Sequence, residues 1–496
     1  MKQHLFDIVG TEHGDRQELY CRIKGSGSYK SGTWHLESDT TIMGDTYFNM
    51  ISLLKWRKYT ALAVLYLHGR AEEKIEIALW GANGEQREKI SRHSCKGCFD
   101  IELPVVDLKY DFVFFEVSTA SNTTLRDFAW QGEFSSWKPV NVGIVICTYN
   151  REDYIKRNIK NIRGYQGKHD WLSLLVVDNG STLPEQQEEK FALVHNKNLG
   201  GSGGFTRGMI EECQSGNNDY IILMDDDVDI ELTAFERTRA LLGGLKKEYQ
   251  ESFIAGAMLT MEEPAKQYEN TAYWDFIKIK NLGKDYDLQE FSMLARNEML
   301  PAYQNQYAAW WYCCLPIGRI KEIGYPLPMF IKGDDMEFSI RNDRPIIRMN
   351  GIGVWHQSFA SKQSDFVNYL ADRNMLIINQ YAKGCNRWSL GIAMLGRLAK
   401  RSLLGQKNAL YIFYMSLSDF YRGFEYIAKS EPKHIFDSLA GLQNQGKAKI
   451  LLSTLSLILR CLLEYKSINE RYQFFRNESL KNPDFWKKYL CLNGGG

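Results

Sequence analysis

Apolar residues follow three different patterns along the chain, and the first pattern is typical of β-strands. Before about residue 140, the runs TALAVLYLHG, KIEIALWG and YDFVFFEVS are rich in β-branched and aromatic residues, and long helical periodicity is missing. The polar RAEE between the first two runs resembles a hairpin turn. We therefore predict a β-sandwich domain at residues 1–140, with a structural or sugar-binding role.

The second pattern alternates continuous apolar runs with amphipathic segments. VGIVIC, WLSLLVVDNGS and DYIILMDDD start as apolar strands, and helix-like spacing follows, as in REDYIKRNIKNIRGY. Strands buried on both faces and joined by helices predict βαβ units in a mostly parallel sheet with flanking helices. We place this α/β domain at residues 141–375.

The third pattern is helical and covers residues 376–496. Apolar positions recur at helical spacing and are interrupted by Lys and Arg, as in RWSLGIAMLGRLAKRSLLG. We predict a helical C-terminal domain. The basic, amphipathic segment 391–407 suits an anionic membrane surface, and ordinary packing inside a helical domain is the alternative.

Composition narrows the class of protein. A chain of 496 residues exceeds the size at which one core keeps growing, which favours several domains. The 61 Lys and Arg balance 60 Asp and Glu, which argues against nucleic-acid binding driven by overall charge. The ten cysteines are scattered, MKQHLFDIVG lacks an apolar signal core, and no run is long enough to span a membrane. We expect a cytoplasmic protein.

Three consecutive aspartates end the apolar run YIILM. Asp225, Asp226 and Asp227 lie where open α/β sheets bind ligands, and three adjacent carboxylates repel one another unless a cation compensates them. Along an extended backbone Asp225 and Asp227 point to one side and Asp226 to the other. A calcium loop is excluded because its sixth position requires Gly and here is Ile230. The pattern predicts Mn²⁺ or Mg²⁺ that also holds a diphosphate.

A second acidic segment, FIKGDDMEF, contains Asp334, Asp335 and Glu337. Acidic residues also favour the start of a helix, so helix stabilisation is the alternative to a catalytic role. A carboxylate near a bound donor can act as a general base towards an acceptor hydroxyl. Further along, His356 of GVWHQSF can supply a nitrogen ligand to the cation site.

Several of these segments together resemble one enzyme family. VICTYNRED, VVDNGS, NLGGSGGF, MDDD, WWYCCLP, FIKGDDMEFSIR and WHQSF occur in the order found in glycosyltransferase family 2. Over residues 141–375 the chain resembles bacterial galactofuranosyltransferases of cell-wall galactan synthesis in particular. The resemblance implies a GT-A fold between an N-terminal β-sandwich and a helical C-terminal region. Gly333 departs from it, since an aromatic residue is expected at that position.

The resemblance also implies a role for each matching side chain. Asp335 would be the catalytic base, and the metal ligands would be Asp225, Asp227 and His356. Contacts to the donor nucleotide-sugar would come from Thr148, Arg151, Asp178, Asn198 and Asp226. Contacts to the sugar or acceptor would come from Trp310, Trp311, Asp334 and Glu337.

These expectations define an inverting, metal-dependent transferase. It would move galactofuranose from UDP-galactofuranose onto a glycan or lipid-linked glycan in bacterial surface-polysaccharide synthesis, using Mn²⁺ or Mg²⁺. Two alternatives stay open: a family 2 transferase that uses another UDP-sugar or a dTDP-sugar such as rhamnose, and a non-catalytic carbohydrate-binding or scaffolding protein. No nucleic-acid partner is expected. Contact of the C-terminal helices with the inner face of the cell membrane, and self-association, are also open.

Overall fold

The computed structural model describes residues 1–358, 364–403, 408–430, 435, 437 and 446–492. The part of the predicted amphipathic segment at 404–407 therefore lies outside the described residues. Three groups of elements follow one another along the chain: antiparallel strands, an α/β region, and helices.

The first group is a nine-stranded antiparallel sheet with the order β2-β5-β8-β6-β9-β4-β3, in which β1 also pairs with β9 and β7 with β6. Its strands are β1 (Gln3–Asp7), β2 (Arg22–Lys24), β3 (Gly27–Lys30), β4 (Thr33–Leu36), β5 (Thr41–Met43), β6 (Leu62–Asn83), β7 (Gln86–Pro104), β8 (Phe112–Thr119) and β9 (Thr123–Phe134). Helix α1 (Leu53–Tyr59) precedes β6, and short 3₁₀ helices lie at Gly14–Leu19 and Val105–Asp107.

Strand β6 differs from the prediction. It continues through the RAEE segment, and the chain turns back only after Asn83, which pairs with Gln86 of β7. The hairpin expected at RAEE is therefore wrong. The first half of β6 pairs with β9 and its second half with β8, so one long strand joins the two wings of the sheet. All nine strands belong to one hydrogen-bonded sheet, and the predicted two-sheet sandwich is not confirmed.

The second group is built on a ten-stranded mixed sheet with the order β12-β13-β11-β10-β14-β21-β16-β22-β15, in which β17 also pairs with β16. Residues between β17 and β21 form a separate three-stranded sheet with the order β19-β18-β20. The strands are β10 (Val142–Thr148), β11 (Leu172–Asp178), β12 (Gln186–Gln187), β13 (Phe191–His195), β14 (Tyr220–Asp225), β15 (Asp229–Ile230), β16 (Phe253–Thr260), β17 (Gln267–Glu269), β18 (Ala272–Trp274), β19 (Ile279–Asn281), β20 (Gln306–Tyr307), β21 (Cys313–Pro316) and β22 (Ile346–His356). The helices are α2 (Glu152–Gln166), α3 (Gly200–Ser215), α4 (Thr233–Gly243), α5 (Phe291–Met299), α6 (Ile317–Ile323), α7 (Asp334–Asn342) and α8 (Asp365–Ile378), with a 3₁₀ helix at Lys247–Tyr249.

The middle of this sheet has the parallel pairing that the apolar runs predict. Strands β13, β11, β10 and β14 are neighbours and run parallel, and β21 is antiparallel between β14 and β16. The chain leaves β10 towards β11 on one side and later reaches β14 on the other side. Such a reversal of strand order opens a crevice at the carboxyl ends of the strands, where ligands bind in open α/β sheets.

The third group is helical: α9 (Arg387–Leu403), α10 (Ala409–Arg422), α11 (Phe424–Lys429), α12 (Lys447–Leu463), α13 (Tyr465–Glu478) and α14 (Pro483–Tyr489). Helix α8 crosses the boundary predicted at residue 375, and the division into domains at 140 and 375 stays a prediction. One apolar core extends through all three groups and includes Trp130, Met224 and Phe420. Among the described helices, none is long and apolar enough to cross a membrane.

Candidate active site

A cluster of two aspartates and a histidine lies at the carboxyl end of β14. Strand β14 ends at Asp225, and the short strand β15 that follows pairs with β22 through Asp229 and Trp355. This pairing brings His356, the last residue of β22, next to the aspartates. Ligand atoms of Asp225, Asp227 and His356 all lie within 4.8 Å of one another. Sequence analysis predicted these three side chains as one group, and the structure brings them together.

The chemistry and spacing of this cluster fit a divalent cation. His356 Nε2 lies 3.1 Å from Asp227 Oδ1, close to the roughly 3 Å between neighbouring ligands of one octahedral ion with bonds near 2.1 Å. His356 Nδ1 lies 2.5 Å from the carbonyl oxygen of Gln357. In the neutral imidazole Nδ1–H then donates to that carbonyl, and Nε2 keeps its lone pair for a metal. Carboxylate oxygens with one imidazole suit Mn²⁺ and Mg²⁺.

Asp226 is not part of this cluster, as its place in the triplet predicts. Thr148, at the end of β10, donates its hydroxyl to Asp226 Oδ2 at 2.7 Å. Arg151, at the start of α2, donates from Nη1 to Asp226 Oδ1 at 3.0 Å and to Asp227 Oδ2 at 2.5 Å. The guanidinium thus holds two of the three carboxylates in place and offsets part of their charge.

Electrostatics in the triplet favour a bound cation. Burial, and next the charge of Asp227, raises the pKa of Asp225 to about 7. A carboxyl with such a pKa loses its proton fully at neutral pH only when positive charge is close. A divalent ion between Asp225, Asp227 and His356 supplies that charge.

The second acidic segment forms the first turn of α7. Asp334 is buried and Asp335 is half-buried, and burial raises the pKa of Asp334 to about 8 and of Asp335 to about 6. The charge of Asp335 is the second cause for Asp334, and the charge of Asp225 contributes as well. Two carboxyl groups with pKa values pushed apart in one site can take acid and base roles.

Gly333, just before α7, explains the departure from the expected aromatic residue. Its φ of +97° is a conformation that favours glycine, and a Cβ atom there would meet Ile378 Cδ1 at 2.6 Å. Ile378 of α8 therefore fills the place towards which a side chain at position 333 would point.

A cleft of about 590 Å³ joins the two acidic segments. Its lining includes Arg151, the aspartate triplet, His356, Asp334 and Asp335, together with both tryptophans that were predicted to contact sugar. Trp311 donates its indole N–H to the carbonyl of Gly256 at 2.9 Å. The indole nitrogen of Trp310 is buried and has no hydrogen-bond partner among the described residues.

Four predicted site residues are not in the lining of this cleft, and one of them is Thr148, which is buried and bonded to Asp226. Glu337 is fully buried and forms a two-bonded ion pair with Arg341, at 2.8 and 3.0 Å. Asp178 is also fully buried, and its carboxylate accepts N–H bonds from Gly180, Thr182 and Leu183. Asn198 accepts an N–H bond from Gly200 at the start of α3. Neither Glu337 nor Asp178 has exposed surface for a ligand, so the sugar contact and the nucleotide contact predicted for them do not fit this geometry.

The cleft also contains an acid that sequence analysis missed. Glu269 ends β17, is only 2% exposed, and one of its carboxylate oxygens has no hydrogen-bond partner among the described residues. Burial, and next the charge of Asp335, raises the pKa of Glu269 to about 8. In the segment TMEEPAKQYEN this residue is one acid among several, and only the pairing of β17 with β16 places it in the cleft.

Comparison with known proteins shows which family the middle region resembles. Residues 143–281 match the family model described as Glycosyl transferase family 2. The galactofuranosyltransferase GlfT2 of Mycobacterium tuberculosis is 23% identical over 367 residues, which cover 67% of this chain and 57% of that protein. The GlfT2 of Mycolicibacterium smegmatis is 24% identical over 380 residues, which cover 67% of this chain and 56% of that protein. The predicted resemblance is therefore confirmed, and the chain spans somewhat more than half the length of these relatives.

Solved structures align over a similar share of the chain. The Staphylococcus aureus TarS fragment 1–349 in complex with UDP-GlcNAc is 12% identical and covers 67% of this chain and 92% of that one, with a TM-score of 0.36. The mannosyltransferase PcManGT of Pyrobaculum calidifontis, in complex with GDP-Man and Mn²⁺, is 11% identical. The alignment covers 65% of this chain and 88% of that one, with a TM-score of 0.33. These superpositions are too loose to support a functional comparison.

Proposed function

We propose that the protein is an inverting, metal-dependent hexosyltransferase, and the match of residues 143–281 to the model of glycosyl transferase family 2 supports this proposal. The observation that carries the proposal is the cleft in which Asp225, Asp227 and His356 lie on the same surface as Asp335. Such an arrangement combines a site for a nucleoside diphosphate–metal complex with a general base. A non-catalytic transferase or a scaffolding protein would need neither the metal site nor the general base.

The carboxylates of Asp225 and Asp227 and Nε2 of His356 would hold Mn²⁺ or Mg²⁺. When bound there, the ion neutralises the charge that develops on the diphosphate leaving group. Arg151 would orient the proposed ligand Asp227, and it holds Asp226 together with Thr148.

Asp335 is the proposed base of a single displacement. Its carboxylate accepts the proton of the acceptor hydroxyl while the oxygen of that hydroxyl forms a bond to the anomeric carbon. The bond from the anomeric carbon to the diphosphate breaks, and its electron pair leaves with UDP. Attack from the face opposite the diphosphate inverts the anomeric centre. Trp310 and Trp311 form an aromatic wall of the cleft, where a sugar ring can pack.

The donor that best fits the relatives is UDP-galactofuranose. Both curated relatives are named galactofuranosyltransferases, and the motif segments of this chain resemble that group. The acceptor would be a glycan or lipid-linked glycan of a bacterial surface polysaccharide. The test is to incubate the protein with Mn²⁺ and a panel of UDP-sugars and dTDP-rhamnose, and to measure release of the nucleoside diphosphate. Preferential release of UDP from UDP-galactofuranose supports the proposal. Preferential release of the nucleoside diphosphate from another donor shows that this other sugar is the one transferred.

The C-terminal helices would hold the enzyme at the inner face of the cell membrane. Helices α9 and α12 pack together, since Leu462 lies 3.1 Å from the place of a Cβ atom on Gly391. Large apolar side chains are exposed along both helices: Trp388, Ile392, Leu395, Leu403, Leu451, Leu452, Leu455, Leu459 and Leu463.

Exposed basic residues border this apolar surface, among them Arg387, Lys400 and Lys447. Apolar side chains beside Lys and Arg complement the acyl chains and anionic headgroups of a bilayer. Sedimentation with vesicles of phosphatidylglycerol tests the proposal. Binding that falls when Trp388 and Ile392 are both replaced by Ser supports it, and absence of binding by the unchanged protein contradicts it.

A further inference from the structure

A second cluster of metal-ligand side chains lies outside the cleft, where β1 meets the α/β region. It consists of His4 and Asp7 of β1, His169 between α2 and β11, and Glu236 of α4. Ligand atoms of His4, Asp7 and Glu236 all lie within 4.8 Å of one another. The four side chains line a cavity of about 340 Å³ together with Trp171 and Arg239.

An irregularity in β1 makes this cluster possible. Residues three apart in a regular strand point to opposite faces. The pairing of β1 with β9 shifts between His4 and Phe6, because His4 lies opposite Gln131 and Phe6 opposite Trp130. The extra residue of this bulge turns His4 and Asp7 to the same side, with 3.4 Å between His4 Nε2 and Asp7 Oδ1.

The carboxylate of Glu236 is the centre of the cluster. Its side chain is only 5% exposed. Oε2 lies 3.0 Å from His4 Nε2, and Oε1 lies 3.6 Å from His169 Nε2. Each of the two imidazoles therefore directs its own Nε2 atom at the buried carboxylate of Glu236.

Neighbouring residues fix these ligand atoms. Tyr165 donates its hydroxyl to Glu236 Oε1 at 2.7 Å, and its ring stacks on His169 with 4.1 Å between the ring centroids. The backbone N–H of Asp7 donates to Glu236 Oε2 at 3.0 Å. Outer contacts of this kind orient the ligands in known metal sites.

We propose that His4, Asp7 and Glu236 bind a structural Zn²⁺ ion, and that His169 is an outer contact of Glu236. One imidazole and two carboxylates are ligands that zinc accepts, and solvent can complete the four-ligand set. With bonds of about 2.0–2.1 Å, neighbouring ligands of a tetrahedral zinc ion are roughly 3.3 Å apart. The distances from His4 Nε2 to Asp7 Oδ1, 3.4 Å, and to Glu236 Oε2, 3.0 Å, are close to that separation.

Charge and access are consistent with zinc. The two carboxylates balance the charge of the ion, and the guanidinium of Arg239, the cation in the lining, packs over Trp171 at 5.0 Å. The side chains of His4 and Asp7 are 40% and 52% exposed, so an ion can enter from solvent. A zinc ion here would link the first strand of the N-terminal sheet to α4 of the middle region.

The test uses the full chain after removal of metals with a chelator. Zn²⁺ binding is measured by calorimetry, and Co²⁺ serves as a visible probe of tetrahedral sites. The cleft site is first removed with Asp227→Asn, so that only the second cluster is observed. We expect one equivalent of bound zinc and a tetrahedral Co²⁺ spectrum in that background.

Variants then assign the ligands. His4→Gln should weaken Zn²⁺ binding by more than tenfold and remove the Co²⁺ band, whereas His13→Gln, which changes an exposed histidine nearby in the sequence, should not. Tyr165→Phe and His169→Gln, which leave the three ligands in place, should each weaken binding by about tenfold. Equal zinc affinity in the His4 and His13 variants, or no zinc uptake by the Asp227→Asn protein, overturns the proposal. Neither result affects the proposed transferase function, which is tested separately by donor hydrolysis.

Discussion

Nε2 of His356 lies 3.1 Å from Oδ1 of Asp227, although His356 ends β22 and Asp227 lies in the turn that follows β14. Strand β15 creates this contact, because it pairs with β22 directly after the aspartate triplet. The carboxyl end of the sheet thus collects its two carboxylates and its imidazole from segments that are distant in sequence. The predictions below test what this arrangement does.

Asp227→Asn should reduce transfer by at least about 100-fold, because a bound divalent ion contributes several kcal/mol to the stabilisation of a leaving group. The measurement is UDP release over a Mn²⁺ titration. The matched control is Asp153→Asn, which removes an exposed aspartate in α2. Unchanged activity of the Asp227 variant, or full activity of the unchanged protein in excess chelator, would contradict a metal role.

Asp335→Asn should lower kcat by roughly 10²- to 10⁴-fold, the usual contribution of a general base. UDP affinity should stay within a few-fold of that of the unchanged protein, because the nucleotide is held by other residues. Asp343→Asn is a suitable control, since Asp343 lies just after the same helix and pairs with Lys383 on the surface. A normal kcat for Asp335→Asn would show that another group takes the proton.

The pH dependence of kcat/KM should report the same carboxylate. Burial raises the pKa of Asp335 from its ordinary value to about 6. A base with a raised pKa works in its deprotonated form, so activity should be present above pH 6 and fall tenfold per pH unit below it. The profile is measured at saturating Mn²⁺. A flat profile down to pH 4.5 is inconsistent with Asp335 as the base.

The sequence pattern placed Asp225, Asp227 and His356 in one group, as the structure does, but it missed Glu269. The pattern separated Asp226 from its neighbours by assuming alternation along a strand, although the strand ends at Asp225 and the other two aspartates lie in a turn. Glu269 could not be found in this way, since nothing local distinguishes it from Glu262 or Glu263.

Motif resemblance also gives no information about which groups a side chain forms its hydrogen bonds with. Asp178 and Glu337 belong to matching motifs, yet their carboxylates bind a backbone turn and Arg341. For the fold, the alternation of apolar runs with amphipathic segments along the chain predicted the parallel strands correctly. The continuation of β6 through RAEE could not be predicted, because a polar stretch in a long strand resembles a turn.

Glu269→Gln should make stability less dependent on pH. Burial raises the pKa of Glu269 to about 8, so the folded state keeps this proton at a pH at which the unfolded chain has lost it. Stability from this group is present below its unfolded pKa of about 4.3 and falls by about 1.4 kcal/mol per pH unit until pH 8. The glutamine variant lacks this loss. Thermal unfolding between pH 5 and pH 8.5 should show a smaller decrease in Tm for the variant, and parallel curves would contradict the assignment.

Glu337→Gln should destabilise the protein without removing catalysis. Glu337 is fully buried and paired with Arg341, whose guanidinium also donates to the carbonyls of Ile323 and Tyr325. Removing the carboxylate leaves a buried cation with one partner fewer, which costs about 3–5 kcal/mol for buried pairs.

The control for this change is Glu322→Gln, because Glu322, the partner of Arg319, is exposed, and an ion pair with an exposed carboxylate contributes little to stability. Denaturant unfolding should therefore separate the two variants clearly, whereas kcat of the folded fraction should stay within a few-fold of the unchanged protein in both. If Glu337→Gln kept full stability and instead raised KM for the acceptor, Glu337 would be a binding residue after all. The ion pair with Arg341 would then open when the acceptor binds.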